Sequence, residues 1–473
     1  MRRHLLWFKQ DLRLDDHPAV QAALAADRVL PLFVFDPKLL RPGDLGIRRM
    51  GVHRSRFQLE SLTALDAELR QRGSRLLVVQ GDAAQVIPAL MEHLDLNEVL
   101  TLEEVAPQER ALVEEVRQAL GDIRLRELAG NSLLRREELP TPVERLPAVF
   151  SQFREQVEQR PSVYQPRPAP ESLPPLPEAV DALFEPLPTP TRLGLGEPVS
   201  LSISAFPFSG GETAALARVR DYLWTSQGVR GYQDSRNGMV GSEYSSKFSP
   251  WLANGSLSPR RVAAELRRHE AQYGANASTH QLWQQLLWRD YFRWTLLRHG
   301  SALFEAGGLK ATERAPRHLD ERFQSWCQGR TGMPLVDASM RELAATGFMS
   351  NRGRQVVAAY LVHDLEQDWR HGAAWFEEHL LDYDPASNWG NWAYLAGVAS
   401  DPQRSQAFNA LRQARHYDPD ASYVSLWLPE LRALPPELRH TPFQLSRLQL
   451  DALDYPRLER VPEDWKPYLT YAA

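Results

Sequence analysis

The first 130 residues alternate short apolar runs with longer stretches of helical periodicity. Four of the apolar runs contain so few polar residues that they are typical of strands buried on both faces. They lie at 4–8, 29–35, 75–80 and 98–102. Apolar residues three and four positions apart fill the intervals, at 17–26, 50–72, 83–93 and 106–120. This alternation predicts a Rossmann-like α/β domain over residues 1–130, with a parallel sheet covered by helices.

Proline then becomes dense, with 11 prolines in residues 161–198. Such density excludes regular helix and disfavours central strands. We therefore expect an inter-domain connector over 131–210 that is mostly extended. It is either disordered or partly docked on the surface, and its interspersed Leu, Val and Phe residues favour docking.

Helical periodicity returns after Gly211 and strand signals become scarce. The amphipathic stretches lie at 212–226, 259–271, 279–298, 335–347 and 354–367. We predict an all-α domain over 211–435 and a short C-terminal extension over 436–473.

Charge and cysteine content limit the function. The net charge of −5 excludes a general polycation, so a nucleic-acid surface must be local; residues 211–300 hold 12 Lys and Arg against 7 Asp and Glu. A single cysteine, Cys327, excludes an internal disulfide and a cysteine-based zinc cluster. No metal site is predicted. No apolar run could span a bilayer and the N-terminal segment does not resemble a signal peptide, so we predict a cytoplasmic protein.

The α/β domain lacks the motifs that usually carry its chemistry. There is no GxGxxG after the first strand, and GxxxxGK[ST], HExxH, CxxC and GxSxG are absent. Eleven of the 13 tryptophans lie between Trp224 and Trp427. Most should be packing residues, but this density also suits base stacking or electron relay. The chemistry is therefore expected in the helical domain.

Two short motifs place polar groups where a ligand could use them. In EYSSKFSP (243–250), hydroxyls surround Lys247, which suits a diphosphate or a solvated turn. In GFMSNRGRQ (347–355), Arg352 and Arg354 are two positions apart and cannot share one helix face, so we expect different partners for them.

A third constellation is LLDYDPASNWGNW at 380–392. It sets two carboxylates, two amides and two indoles beside an apolar run, and Asp-Pro and Gly390 make one continuous helix improbable. Either this is a polar turn with packing tryptophans, or it is a pocket for a flat redox ring. Asp382 and Asp384 are candidate partners for Arg289 or Arg354, because an arginine among apolar residues needs a counter-charge.

Taken together, these segments closely resemble the photolyase/cryptochrome family, and most of all its DASH-type cryptochromes. The resemblance covers nearly the whole chain. Its motifs are LLWFKQDLRLDDHPAV (5–20), PTPVERLPAVFSQFR (140–154), SSKFSPWLANGSLSP (245–259), LLWRDYFRW (286–294), GRTGMPLVDASMRELAATGFMSNRGRQ (329–355), DWRHGAAWFEEHLLDYDPASNWGNW (368–392) and YVSLWLPELRALP (423–435).

The resemblance implies non-covalent FAD in the helical domain. The implied cofactor contacts are Tyr232, Ser245, Ser246, Lys247, Ser249, Arg289, Asn351, Arg354, Asp382, Asp384 and Asn388. Arg354 is expected to pair with Asp382, and Asn388 to face the reactive nitrogen of the ring. A neutral amide there accepts a hydrogen bond from reduced flavin without repelling its negative charge.

The function implied is light-driven splitting of cyclobutane pyrimidine dimers by an electron from excited reduced FAD. Trp288 is placed to stack on the flipped dimer and Arg352 to hold a phosphate beside it. The implied DNA contacts are Arg236, Gln285, Trp288, Arg352, Gln355 and Arg404. The alternative is a blue-light receptor with little or no repair activity.

Several positions depart from the family pattern. Photolyases acting on double-stranded DNA have Glu at Gln285 and Met at Gln355; two glutamines imply a weaker grip and a preference for single-stranded DNA. Gln406 replaces an arginine of the family that contacts phosphate, although Arg404 is close by.

A further departure concerns the family's relay of three tryptophans. Trp392 and Trp369 match the inner two, whereas the outer position is Pro316. We therefore expect slow or rerouted photoreduction, through a tyrosine or through an indole such as Trp375 or Trp389. The α/β domain of the family also carries an antenna pigment. Glu104, Gln108 and Glu109 loosely match contacts to methenyltetrahydrofolate, or simply open a helix. A monomer is expected.

Overall fold

The structure is a computed structural model that describes residues 1–160, 165–197, 206–310, 319–399 and 409–469. An α/β region is followed by a helical region, as the hydrophobic pattern predicts. Three positions of the sequence analysis, Pro316, Arg404 and Gln406, lie outside the described residues.

Five parallel strands form the sheet, in the order β3-β2-β1-β4-β5. They are β1 (Arg3–Phe8), β2 (Arg28–Phe35), β3 (Leu77–Gln80), β4 (Glu98–Leu102) and β5 (Arg124–Leu128). The sequence predicted the first four. β5 was missed because it is an edge strand, partly exposed, and its RLREL sequence lacks a continuous apolar run.

Helices cover both faces of the sheet, because alternate residues of a strand point to opposite sides. The helices are α1 (Pro18–Ala23), α2 (Val52–Gln71), α3 (Ala83–His93) and α4 (Pro107–Leu120). Leu6 and Phe8 of β1 pack with α1 and α2, whereas Leu5 and Trp7 pack with α3 and α4. The result is the three-layer arrangement expected for a parallel sheet.

The segment after the sheet contains one helix, α5 (Phe150–Glu158), which packs against the helical region. Within the described residues 165–197 of the proline-rich stretch, the helical structure is a single 3₁₀ turn, Asp181–Leu183. Three apolar side chains of this stretch are buried against the α/β region: Leu173, Val180 and Leu193. The connector is therefore docked here, which the interspersed apolar residues favoured.

The helical region is built around two hydrophobic clusters. Its helices are α6 (Glu212–Arg220), α7 (Tyr232–Ser235), α8 (Ser249–Ala253), α9 (Pro259–Tyr273), α10 (Ala277–His299), α11 (Glu321–Cys327), α12 (Pro334–Thr346), α13 (Asn351–Ala359), α14 (Trp369–His379), α15 (Pro385–Leu395), α16 (Ala410–Tyr417), α17 (Ser422–Trp427) and α18 (Arg447–Ala452). Two of them continue as π-helical turns, α6 into Asp221–Thr225 and α13 into Tyr360–Asp364.

The stretch 380–392 is not one helix, as predicted. Residues 380–384 are non-helical, and α15 begins at the aspartate-proline step. Asp384 caps α15 by accepting a hydrogen bond from the Ser387 amide, and Pro385 opens the helix. Gly390 continues the helix instead of ending it. A Cβ at Gly390 would lie 2.4 Å from Cδ1 of Phe292, so the glycine is needed for α15 to approach α10.

Three features bear on the function classes. Among the described residues, no helix has both the length and the apolar character needed to cross a bilayer. The same residues contain no group of three or more His, Cys, Asp or Glu side chains placed to hold a metal ion. Cys327 is buried, and burial raises the pKa of its thiol.

Candidate functional site

A cavity of about 300 Å³ lies among the helices α7, α8, α10, α13, α14 and α15. We call it the main cavity; its volume is at the lower end of the range of roughly 300–1,000 Å³ found for small-molecule sites. All the residues predicted to contact FAD line it: Tyr232, Ser245, Ser246, Lys247, Ser249, Arg289, Asn351, Arg354, Asp382, Asp384 and Asn388. The fold thus brings together residues that are far apart in sequence.

One wall carries an ion pair. Nη2 of Arg354 lies 2.8 Å from Oδ2 of Asp382, and Nε of Arg354 donates to the carbonyl of Met349. The Asp382 side chain is almost fully buried, whereas that of Arg354 is one-quarter exposed. The pair fixes a guanidinium on the cavity wall, where it stabilises negative charge on a bound group.

The second carboxylate has a different partner. Oδ2 of Asp384 lies 3.7 Å from Nη1 of Arg293. Burial raises the pKa of Asp384, but Arg289 and Arg293 outweigh burial, and its pKa falls below the ordinary value. Arg289 donates to the carbonyls of Asn131 and Leu252, at 2.7 and 3.0 Å, and burial lowers its pKa to about 10. Asp382 is therefore the counter-charge of Arg354, and Asp384 that of both Arg289 and Arg293.

Asn388 is oriented by the neighbouring helix. Its Nδ2 donates to the carbonyl of Ala373 on α14, at 3.0 Å. Because the nitrogen is engaged in this way, Oδ1 is the atom of Asn388 that is left to accept a hydrogen bond from a ligand in the main cavity. This is the orientation needed to accept a hydrogen bond from a ring N–H group.

Lys247 is held in an unusual state. It is 2% exposed, its φ is 61°, and its Nζ lies 3.0 Å from the ring centroid of Tyr244. Burial lowers its pKa to about 6. The link around it is fixed by Arg218, which donates to the carbonyls of Ser245 and Ser246.

Several buried polar atoms on this wall have no hydrogen-bond partner among the described residues. They are Nζ of Lys247, Oδ1 of Asp382, Oε1 of Gln355 and the hydroxyl of Tyr244. Buried polar groups are normally paired, so these atoms suit a polar ligand. A lysine that a nearby phosphate can hold in its charged form, an acceptor at Asn388 and apolar side chains such as Leu286 fit FAD.

The predicted DNA contacts divide into two groups. Arg236, Gln285 and Gln355 are half-buried and line the main cavity. Arg352 lies beside it and donates to Oδ1 of Asn237 and Oε1 of Gln413, at 3.1 and 3.2 Å. Arg352 and Arg354 thus have different partners, as their spacing predicts.

Trp288 is not among the residues that line the main cavity; it lines a separate hollow of about 30 Å³ with Phe150 and Tyr394. One face of its indole is stacked on Phe150. The expected stack of a base on this indole would therefore have to use the face that Phe150 does not cover.

The predicted relay tryptophans are buried in one core cluster. Trp392 lies on the cavity wall, and Trp369 donates its Nε1 hydrogen to the carbonyl of Ala306 at 3.1 Å. The structure places both in contact distance of other aromatic rings.

Two of the three predicted antenna residues line a second space, of about 60 Å³, between the α/β and helical regions, whereas Gln108 is exposed and does not line it. We call it the inter-region cleft. Glu104 and Glu109 line it. Glu104 lies 3.4 Å from Nζ of Lys9, and burial raises its pKa to about 7. Arg49 donates to Gln108 and lies 3.9 Å from Glu109.

Sequence reasoning missed several residues at the site. Tyr383 lines both the main cavity and the inter-region cleft, and Asn237 and Gln413 hold Arg352. Phe150 was part of a quoted motif but had no role. The sequence contained a signal for Tyr383, because this residue stands between the two aspartates. It contained none for Asn237 and Gln413, because isolated amide residues of this kind are common on protein surfaces.

Comparisons with known proteins agree with this geometry. Residues 4–174 match the family described as DNA photolyase, and residues 282–460 match the FAD binding domain of DNA photolyase. A cryptochrome DASH of Gloeobacter violaceus is 44% identical over 462 residues, which cover 96% of this chain and 92% of that protein. A cryptochrome DASH of Synechocystis is 41% identical, covering 96% and 94%.

Solved structures extend the comparison. The crystal structure of a Synechocystis cryptochrome is 39% identical with a TM-score of 0.91, covering 97% of this chain and 96% of that one. A bacterial class III photolyase of Agrobacterium tumefaciens is 26% identical with a TM-score of 0.81, covering 99% and 96%. The helical region is accordingly an FAD-binding domain, and the chain belongs to the photolyase/cryptochrome family, among the DASH-type cryptochromes.

Proposed function

We propose that this protein is a light-driven DNA-repair lyase that splits cyclobutane pyrimidine dimers and prefers single-stranded DNA. One observation carries the proposal. Residues suited to FAD and residues suited to an extruded base line the same cavity, with Asn388 and Arg354 on its wall and Gln285 and Gln355 beside them. A base that enters this cavity lies next to the cofactor.

Reduced FAD, when bound and excited by light, supplies the electron that breaks the cyclobutane ring. The chain sets the conditions for that chemistry. The Arg354 guanidinium favours an anionic ring, and Oδ1 of Asn388 accepts a hydrogen bond without adding charge. Apolar side chains such as Leu286 and Trp392 exclude water from the wall.

The two glutamines support the preference for single strands. Gln285 and Gln355 offer neutral amides that hydrogen-bond a base edge without the charge of a carboxylate. Because the base is bound more weakly, its binding offsets less of the free energy needed to extrude it from a duplex. Single strands avoid most of that cost, because the base is already unstacked.

The test measures dimer loss in UV-irradiated oligo(dT) and in the same strand paired with its complement, with and without blue light. We expect light-dependent repair of the single strand well above that of the duplex. The double variant Gln285→Glu/Gln355→Met is the matched comparison, and should raise repair in the duplex. Equal wild-type rates on both substrates would contradict the preference. Light-induced flavin absorbance changes with no dimer loss on either substrate would instead support a photoreceptor.

We further propose that an antenna pigment of the methenyltetrahydrofolate type binds at the inter-region cleft, which at about 60 Å³ is smaller than a small-molecule site and has to widen to admit it. The cleft is lined by Gln10, which follows β1, and Glu104, which follows β4. These neighbouring strands flank the point where the strand order reverses, which is where doubly wound sheets bind ligands.

Reconstitution with methenyltetrahydrofolate should add a near-UV absorption band that remains after gel filtration. Glu109→Ala should reduce retention of the pigment, whereas Glu115→Ala on the outer part of the same helix should not. Equal retention in both variants would place the pigment elsewhere, and retention in neither wild type nor variants would remove the proposal.

A further inference from the structure

We propose that Arg218 is a positioning residue for the cofactor: it holds the non-helical link 243–248 in the shape that receives the diphosphate of FAD. Arg218 does not line the main cavity itself, so it acts through the link, whose Ser245, Ser246 and Lys247 do line it. The inference rests on the proposed function only as far as FAD occupies this cavity, and it does not depend on DNA repair.

Arg218 is an arginine that α6 buries instead of exposing. It is 5% exposed, and its helix neighbours Ala215 and Val219 belong to a hydrophobic cluster. A buried guanidinium needs several acceptors, because burying a charge without partners costs much free energy. The acceptors of Arg218 therefore indicate what it is used for.

Two of these acceptors are backbone carbonyls of the link. Nε of Arg218 donates to the carbonyl of Ser246 at 3.1 Å, and Nη2 donates to the carbonyl of Ser245 at 3.3 Å. A carbonyl oxygen that turned toward a phosphate would repel it. Arg218 therefore keeps two such oxygens away from the place proposed for the diphosphate.

The same two hydrogen bonds support a strained residue. Lys247 follows the two serines and has a φ of 61°, in the left-handed region that residues with a side chain seldom adopt. Such a conformation persists only where the surrounding structure holds it. Because both preceding carbonyls are anchored by Arg218, the side chain of Lys247 is kept on the cavity wall.

Arg218 is in turn fixed from two further sides. Its Nη1 lies 2.6 Å from Oδ2 of Asp221 and 3.5 Å from Oε2 of Glu243, at the start of the link. Its guanidinium lies 5.1 Å from the ring centroid of Tyr222, and Tyr222 packs edge-to-face against Phe248, at the end of the link. Asp221 and Tyr222 belong to the π-helical turn after α6, and such turns are frequent at functional sites. Helix α6 and this turn therefore support the link at both ends and in the middle.

The alternative is that Arg218 only stabilises the helical region. Its loss would then weaken every ligand of the main cavity to the same degree, and the effect would not depend on Lys247. In a positioning role the effect passes through the link, so it depends on Lys247 and on the phosphates of the ligand.

The test is a double-mutant cycle on FAD affinity, measured in the dark by titrating FAD-free protein with FAD. Arg218→Lys keeps a positive charge but lacks the planar fork that reaches both carbonyls at once. FAD binding should weaken by about tenfold, the lower end of the effect of losing a hydrogen bond to a charged group. In a Lys247→Met background the same substitution should weaken binding by less than about twofold.

Arg220→Lys, at an exposed arginine of the same helix, is the matched control and should bind FAD like wild type. Equal losses in the two backgrounds, or no loss in Arg218→Lys, would overturn the proposal. Riboflavin has the ring of FAD without the phosphates, so Arg218→Lys should leave its affinity unchanged. Equal weakening of riboflavin and FAD would show that the role of Arg218 is structural.

A milder variant covers the case in which Arg218→Lys disturbs the fold. The side chain of Asp221 is 44% exposed, and Asp221→Asn frees the guanidinium of Arg218 on one side only. FAD affinity should fall by a smaller factor, and again less in the Lys247→Met background; an equal fall in both backgrounds would contradict the proposal. If the wild type binds FAD but repairs no dimers, the repair function fails while the cycle still decides the role of Arg218.

Discussion

The ring of Phe150 stacks on the indole of Trp288, with centroids 3.8 Å apart and planes 15° from parallel. Phe150 opens α5, in the segment that follows the α/β region, whereas Trp288 lies on α10. The stack therefore ties the orientation of the predicted base-contacting indole to a residue outside the helical region.

Removing this stack should weaken substrate binding. Phe150→Ala frees Trp288 to rotate, and the loss of an aromatic pair worth about 0.5–1.5 kcal/mol predicts a two- to tenfold weaker affinity for irradiated oligo(dT). Phe150→Tyr keeps a ring at this position and should bind like wild type. Fluorescence anisotropy of a labelled strand measures both, and unchanged affinity in Phe150→Ala would show that the stack does not position the indole.

Breaking the ion pair on the cavity wall should destabilise the protein and loosen the cofactor. Asp382→Asn leaves Arg354 without its carboxylate at 2.8 Å. We expect a loss of about 2–4 kcal/mol, less than for a fully buried pair because Arg354 is partly exposed. Chemical denaturation and the ratio of flavin to protein absorbance measure the two effects. Glu115→Gln, which removes the exposed partner of Lys38, is the control and should change little.

FAD binding should take up a proton through Lys247. Burial holds the pKa of this lysine at about 6 in the FAD-free protein, far below its ordinary value of 10.5. A phosphate nearby favours the charged form, so between these pH values binding converts neutral lysine to ammonium. Affinity should then fall by up to about tenfold per pH unit above pH 6.

Calorimetry in buffers of different ionisation enthalpy counts the protons taken up at pH 8. Lys247→Met should abolish the uptake, and Lys38→Met, at an exposed lysine, should not. Identical proton counts in wild type and Lys247→Met would mean that another group supplies the charge.

The contact between α15 and α10 should not tolerate a methyl group at Gly390. Gly390→Ala gains about 1 kcal/mol of helix propensity, but overpacking against Phe292 costs about 1–3 kcal/mol. We expect net destabilisation in urea. In a Phe292→Leu background the clash is relieved, and the same substitution should become neutral or stabilising. A stabilising effect in the wild-type background would show that the helices separate freely.

Much of the fold followed from periodicity, because buried parallel strands and amphipathic helices have distinct patterns. β1, β2, β3 and β4 were visible as apolar runs, and α9 and α10 as three-and-four spacing. β5 was not visible, since an edge strand is paired on one side only and keeps polar residues such as Arg124 and Glu127. The prediction that Gly390 interrupts the helix was wrong for a related reason. In the sequence, a glycine needed for close packing looks the same as a glycine that ends a helix.

The resemblance to the family identified the residues of the site, whereas their hydrogen-bond and ion-pair partners were identified only from the fold. That Asp384 would pair with Arg293, and that Asn237 would hold Arg352, depended on long-range packing that no local pattern encodes. Spacing alone did predict that Arg352 and Arg354 would have separate partners. The rerouted photoreduction was left open between a tyrosine and an indole such as Trp375 or Trp389, and it stays a prediction.

Four residues line both the main cavity and the inter-region cleft: Ala253, Arg289, Tyr383 and Asp384. A ligand in either space would therefore have some of these four residues as neighbours. Thermodynamic reciprocity then requires that the cofactor change the affinity for a pigment by the same factor by which the pigment changes the affinity for the cofactor. If the proposed pigment binds in the cleft, its affinity and that of the cofactor are thus linked through the residues that the two spaces share.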